Sequence, residues 1–280
     1  MNFDSVIMVD WSGGNDRGPT PKKDAIWACI ARGGQAATPV YLRNRAIAED
    51  WIIAALAKEL DEGRRALIGF DLCFAFPKGF ATRLIGREDT LALWDWFAER
   101  VQDSPTGNNR FDLAGEINAR FPGTGPFWFA PQTRDIPHLP RKGRDRQGHG
   151  LPEKRNADRA IKGAFSPWQL GGAGAVGGQV IMGLPTLSRL RRRFGKDLSV
   201  WPFQPANSRI VLAETYFSQV PLPPDIHPIK DAAQVRIYAT RFSNLSDTQW
   251  QQVLQHPADP EGWVLGAGHE HLLEDARCPA

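Results

Sequence analysis

Residues 6–10, Val-Ile-Met-Val-Asp, form a short apolar run closed by an acid and then by Trp11-Ser12-Gly13-Gly14, the pattern of a buried strand entering a turn. Ala25 to Ala31 predicts a second strand and Pro39 to Leu42 a short third. Over residues 46–62, Ile47, Trp51, Ala54, Ala55 and Leu60 recur at helical spacing, with Gly63 as a stop. Ala66 to Phe70 is a second fully apolar run, again closed by an acid, Asp71. Strand, strand, strand, helix, strand is most economically a hairpin meander followed by a crossover.

Glu88 to Val101, carrying Leu91, Leu93, Trp94 and Phe97, predicts a further helix. Beyond it the pattern breaks. Residues 104–183 are dense in Pro, Gly and Arg, with brief periodic stretches at 111–120 and 153–165, and they predict an insertion packed on the main fold within a single domain spanning 1–280. Regularity returns with a helix at 184–194, a strand from Arg209 to Glu214 and a helix from Asp231 to Phe242; Trp263-Val-Leu-Gly predicts a last short strand. No internal repeat of solenoid period is present.

The 280 residues, 42% hydrophobic and 23% charged, suffice for a substantial core and exclude a disulfide-dependent miniprotein or a disordered tail. Cys29, Cys73 and Cys278 form no paired spacing, which argues against a disulfide framework, a zinc ribbon or an iron–sulfur ligand set. No apolar run approaches the ~18 residues needed to cross a bilayer, and the start of the chain lacks a signal-peptide pattern. No membrane association and a cytoplasmic location are therefore expected. The net charge is only +3, but 25 of the 34 basic residues are arginine, the side chain suited to bidentate contacts with phosphate or carboxylate.

Three apolar runs end in carboxylates: Asp10, Asp71 and Glu214. If the crossover makes the first and fourth strands parallel neighbours, Asp10 and Asp71 meet on one sheet edge, where Glu214 can join them. Asp231 opens the helix after the Pro221 to Pro228 loop and can fold back beside them. Unpaired carboxylates repel one another unless a divalent cation sits among them, and hard oxygen ligands select magnesium or manganese. That is the chemistry of a two-metal phosphodiesterase site, although each acid alone is as well explained as a turn former or helix cap.

Val9-Asp10-Trp11-Ser12, Ile68-Gly69-Phe70-Asp71, Ala213-Glu214-Thr215-Tyr216, Lys230-Asp231-Ala232-Ala233-Gln234 and Glu261-Gly-Trp263-Val-Leu-Gly occur in the order found in a bacterial and archaeal family described as predicted nucleases of ribonuclease H fold, which the chain resembles over most of its length. The resemblance implies an α/β fold, a ribonuclease H-like mixed sheet flanked by helices and here interrupted by a long Pro/Gly-rich insertion. It places Asp10, Asp71, Glu214 and Asp231 at the catalytic and metal-binding positions, with Mg2+ or Mn2+ as cofactor. The chain also resembles alphaproteobacterial proteins labelled as molybdopterin guanine dinucleotide or cobalamin synthesis proteins, which implies a nucleotide-cofactor binding or biosynthesis accessory role as an alternative. A second alternative, an actin-like ATPase in which Asp10 and the Gly13-Gly14 turn hold phosphates, calls for a duplicated domain that the sequence lacks.

For the leading reading, a metal-dependent nuclease or phosphodiesterase acting on nucleic acid or a nucleotide, the substrate contacts are sought in Ser12, Gly13 and the basic stretch Arg141 to Lys162. Within that stretch Arg155 and Arg159 are spaced i,i+4 and would present two guanidinium groups on one helix face. Pairing of both with Glu153 or Asp158 explains the same residues. Arg189 to Arg193 form a second basic run, and Phe127, Trp128, Phe129 and Trp168 offer faces for base stacking or for a core. Gly172-Ala-Gly174-Ala-Val-Gly177 matches a dinucleotide fingerprint in letters but follows no first strand, so a flexible or close-packed glycine turn is the preferred reading.

Overall fold

The computed structural model of the protein describes residues 2–223 and 227–275, and Cys278 lies outside them. The chain opens with β1 (Ser5–Asp10), β2 (Ile26–Arg32), β3 (Gln35–Ala36) and β4 (Val40–Leu42), followed by α1 (Arg45–Asp61) and β5 (Ala66–Asp71). Next come α2 (Phe80–Ile85), α3 (Thr90–Arg100), a small hairpin of β6 (Asp103–Ser104) and β7 (Gly107–Asn108), α4 (Arg110–Asn118) and α5 (Asn156–Ala160). The long helix α6 (Gly177–Phe194) leads into β8 (Leu198–Trp201), β9 (Ile210–Thr215), α7 (Lys230–Ser243), α8 (Asp247–Leu254) and α9 (Glu270–Asp275).

The main sheet has the order β3-β2-β1-β5-β9-β8, with β4 also paired to β2. β2 runs antiparallel to β1, β3 and β4, whereas β1, β5, β9 and β8 are mutually parallel. The meander and crossover expected from the first seventy residues are thus present, with α1 as the crossover. An Asn44 side chain that accepts the Ile47 N–H at 3.0 Å starts α1, and Gly63, at φ 75°, follows its end.

Strand alternation divides the core into two layers. Ile7, Val9, Ile68, Phe70, Ile210 and Leu212 face α1, α3 and α6. Val6, Met8, Leu67, Val211 and Ala213 face α7 and α8, where Tyr238, Phe242 and Trp250 are fully buried. Gly69 occupies a narrow point in the second layer: a Cβ there would stand 2.7 Å from both Met8 Sδ and Thr215 Cγ2. The short strand expected at Trp263 to Gly266 is instead a turn touching the sheet through one bridge, Val264 to Glu214, because Gly262 and Gly266 at positive φ interrupt extended backbone on both sides. No helix among the described residues is long and apolar enough to cross a membrane.

At the end of the sheet away from the carboxyl termini of the parallel strands, the buried Glu59 anchors α1. It accepts from Ser5 Oγ, Arg32 and Arg64. Burial pushes its carboxyl up, but the hydrogen bonds from Arg64, Arg32 and Ser5 prevail and hold it at about 2, against an ordinary 4.5. A carboxyl depressed in the folded state contributes stability in full above its unfolded value and loses it as the pH falls. Thermal melts should therefore show a midpoint that declines as the pH drops from about 4.5 to about 2. Glu59→Gln should melt lower at neutral pH and decline less steeply over that window.

Candidate functional site

Asp10 ends β1 and pairs in register with Asp71, which ends β5; Asp71 pairs in turn with Thr215, the last residue of β9. Because the three strands are parallel, these side chains form one row at their carboxyl ends, on the layer that packs against α7. Thr215 is only 2% exposed, and its hydroxyl has no hydrogen-bond partner. The first turn of α7 brings Asp231 to the same place, where one carboxylate oxygen accepts the Asp24 backbone N–H at 2.7 Å. Asp24 adopts φ 55°, which turns the chain into β2 beside the row.

The acids disturb one another. Burial, then the charges of Asp71, Asp231 and Asp24, push the Asp10 carboxyl well above the usual carboxylate range. Asp71 is raised to about 7, chiefly by burial and further by Glu214 and Asp231, while the Phe217 backbone N–H and Lys230 act in the opposite sense. Burial raises Asp231 as well, against the opposing bond from Asp24. These are hard oxygen donors beside an unsatisfied buried hydroxyl, but Asp10, Asp71 and Asp231 do not bring their carboxylate oxygens within 4.8 Å of one another as a set.

Glu214 does not join this row. It lies one residue before Thr215, so strand alternation turns it to the opposite face of the sheet. There it is 2% exposed, accepts the Phe74 N–H at 2.7 Å, and is clamped by Arg155 through bonds of 2.6 and 2.8 Å. Arg155 in turn grips Asp158 at 2.7 Å. Arg155 is 0% exposed, stands just before α5 rather than on it, and has its guanidinium consumed by two carboxylates, which corrects its expected role as a contact to substrate phosphate. Arg159, on α5, donates to Asn156 Oδ1 at 3.0 Å on the exposed side.

Cys73, Asp158 and Glu214 have candidate ligand atoms within 4.8 Å of one another, but the Arg155 guanidinium already compensates both acids. Burial pushes the Cys73 thiol well up. This donor set does not fit a metal ion, because a cation would have to displace a fixed guanidinium from a nearly dry site.

Two connected cavities flank the acidic row. One, of about 520 Å³, is lined by Asp10, Asp231, Arg17, Arg110 and the Trp11-Ser12-Gly13-Gly14 turn. The other, of about 450 Å³, lies over Asp71 and Thr215 and is bordered by Phe165 and Tyr216. Asp10, Asp24, Gly172, Ala175 and Gln179 line both. The Ser12 hydroxyl donates to Asp24 O at 3.2 Å and accepts from the Gly14 N–H at 3.2 Å, so it shapes the turn. A Cβ on Gly13 would stand 2.8 Å from Gln179 N and from Gly178 C: this glycine lets the turn pack on the first turn of α6. Of the two turn readings the glycine-rich run takes the close-packed one, with Gly172 and Gly174 at φ 85° and 74° against Phe129 and Phe165, and it leads into α6 beside the cleft.

Thr215, Asp24 and Gln179 were not among the residues singled out from sequence. Strand alternation is the signal that identifies Thr215, since residues ending paired strands share a face only when they are in register. No family model, curated protein or solved structure matches the chain.

Removing the clamp should be costly. Arg155→Ala leaves two buried carboxylates uncompensated and is expected to lower the unfolding free energy in urea by roughly 3–5 kcal/mol. The charge-free combination of Arg155→Met with Asp158→Leu and Glu214→Met should recover most of that loss, as measured by the same titration.

Proposed function

We propose that the protein is a metal-dependent phosphodiesterase that works on nucleic acid or a nucleotide through a ribonuclease H-like sheet. The observation that carries this reading is the in-register pair Asp10 and Asp71 at the ends of neighbouring parallel strands, with Asp231 and the unpartnered Thr215 hydroxyl beside it. A reversed β2 beside the parallel β1-β5-β9 run, with α1 as the crossover, supports the fold assignment.

In this reading Asp10, Asp71 and Asp231 hold Mg2+ or Mn2+, and Thr215 offers a further oxygen. When bound, the metal supplies an activated water and charge stabilisation for the leaving oxygen. The protein groups position the substrate. The Gly177 N–H that opens α6 is spent on Gln169 O at 2.8 Å, so the start of this helix serves as wall, with Gly178, Gln179 and the Ser12 to Gly14 turn beside it. Glu214 contributes indirectly, fixing the end of β9 and hence the position of Thr215.

The test is hydrolysis of bis(p-nitrophenyl) phosphate by the full chain with Mn2+. Asp71→Asn should lower the rate at least about a hundredfold, the scale on which loss of a charged transition-state contact acts, while leaving the melting temperature of the metal-free protein unchanged or slightly higher. Added Mn2+ should raise the melting temperature of the wild type and not that of the variant. Wild-type protein that neither hydrolyses this ester nor is stabilised by Mn2+ would overturn the reading.

A further inference from the structure

Resting on the phosphodiesterase reading, the geometry points to a phosphodiester of single-nucleotide size, a cyclic nucleotide or a nucleoside phosphate ester, whose planar base lies against Phe165 while its phosphate reaches the acidic row and for which AMP is a product-like probe; we infer that an extended nucleic-acid strand is not the ligand. Three independent features carry this inference.

The first is charge. The two cavities are lined by six carboxylates, Asp10, Asp24, Asp71, Asp158, Glu214 and Asp231, and by three arginines, Arg17, Arg110 and Arg155. Arg155 is spent on Glu214 and Asp158. Arg110 donates to Gly13 O and Asn108 Oδ1, both at 3.0 Å, and stacks over Phe111. Arg17 donates to Asp24 O at 2.9 Å. Of the basic runs seen in the sequence, Arg155 alone lines these cavities, while Arg146 pairs with Glu153, Arg189 with Glu49, and Arg191 and Arg192 with Asp95. A polyanion needs a continuous track of cations along its backbone, and this cleft has a surplus of acids instead. One phosphate neutralised by the bound metal needs no such track.

The second is shape. The cavity beyond Asp71 holds about 450 Å³ and is bounded by Tyr216, Val264, Ile161 and the backbone of residues 172–176. That is the size class of a small-ligand pocket.

The third is Phe165. Together with Ile47 it is one of the large apolar side chains left exposed among the described residues, at 49%. It borders this cavity, and its ring rests directly on Gly174, whose φ of 74° and missing Cβ make room for it. An apolar ring held on glycine at the rim of a polar cavity is a stacking platform, and π-stacking accepts any base. The same cavity is lined by Asp71 and by the buried Thr215, whose hydroxyl is unpartnered and open to the polar end of such a ligand.

The test compares binding of AMP, ribose 5-phosphate and a single-stranded 12-mer DNA to the full chain by calorimetry, in Ca2+ to suppress turnover. AMP should bind on the order of tenfold more tightly than ribose 5-phosphate, the range expected of one base stack. Phe165→Ala should erase that difference without lowering the melting temperature, and Phe165→Trp should keep it. Equal binding of AMP and ribose 5-phosphate, or an unaltered preference in Phe165→Ala, would overturn the base platform. Tighter binding of the 12-mer, falling steeply with salt, would overturn the single-nucleotide size and leave the phosphodiesterase reading standing. That reading fails separately, by absence of Mn2+-dependent hydrolysis of bis(p-nitrophenyl) phosphate, an ester with no base.

Discussion

Backbone hydrogen bonding among β1, β5 and β9 decides which side chains share a face at the carboxyl ends of the strands. Parallel pairing in this register puts Asp10, Asp71 and Thr215 in one row and sends Glu214 through the sheet to the other side. A shift of β9 by a single residue would exchange Thr215 and Glu214, burying an unpaired acid against α7 and removing the partner of Arg155. The ion pair on one face and the acidic row on the other therefore depend on the same ladder. The tight approach at Gly69, with Met8 and Thr215 on either side, leaves little freedom for such a shift.

The charges follow from that geometry. Asp10 and Asp71 are neighbours; burial raises both, Asp71 and Asp231 add to the rise at Asp10, Glu214 and Asp231 to that at Asp71, and Lys230 opposes each. Glu214 is more deeply enclosed, yet Arg155 and the Phe74 N–H oppose the rise that burial brings. Acids that look alike at the ends of three apolar runs thus occupy two electrostatic settings. One setting leaves acids facing one another; the other holds the chain.

Much of the fold was legible because strongly periodic segments carried it. Runs of buried aliphatic residues marked β1, β2, β5 and β9, and 3.6-residue spacing marked α1, α3 and α7. The first turns of α6 were hidden by Gly177, Gly178 and Gly183, residues of low helix propensity that are present here for space: a Cβ on Gly178 would stand 2.7 Å from Leu170 O, and one on Gly183 would meet Leu72 and Trp11. β8, only four residues long, offers too little pattern to see. At the site, Asp10, Asp71 and Asp231 were visible as acids at element ends. Register, which separates Glu214 from them, is a property of paired strands and is not written in any one of them. Arg155 was read as a contact to substrate phosphate, with pairing to Glu153 or Asp158 as the alternative; the Asp158 pair, three residues away, is the one formed, whereas Glu214 lies 59 residues away on β9, beyond the reach of local spacing.

The clamp of Arg155 between Asp158 and Glu214 also bears on how the protein can change over time. Irregular segments between regular elements are commonly the replaceable parts of a fold, lengthened, shortened or exchanged while the sheet is kept. Here the interior strand β9 carries a buried acid whose counter-charge is supplied by the segment between α4 and α6, and Glu261 fastens the same segment by accepting the Asn156 N–H at 2.8 Å. Loss of the segment would strand Glu214 without compensation. The wall of the cleft and the sheet beneath it are therefore bound to a shared history: any lineage that discards this wall must first, or at once, neutralise position 214.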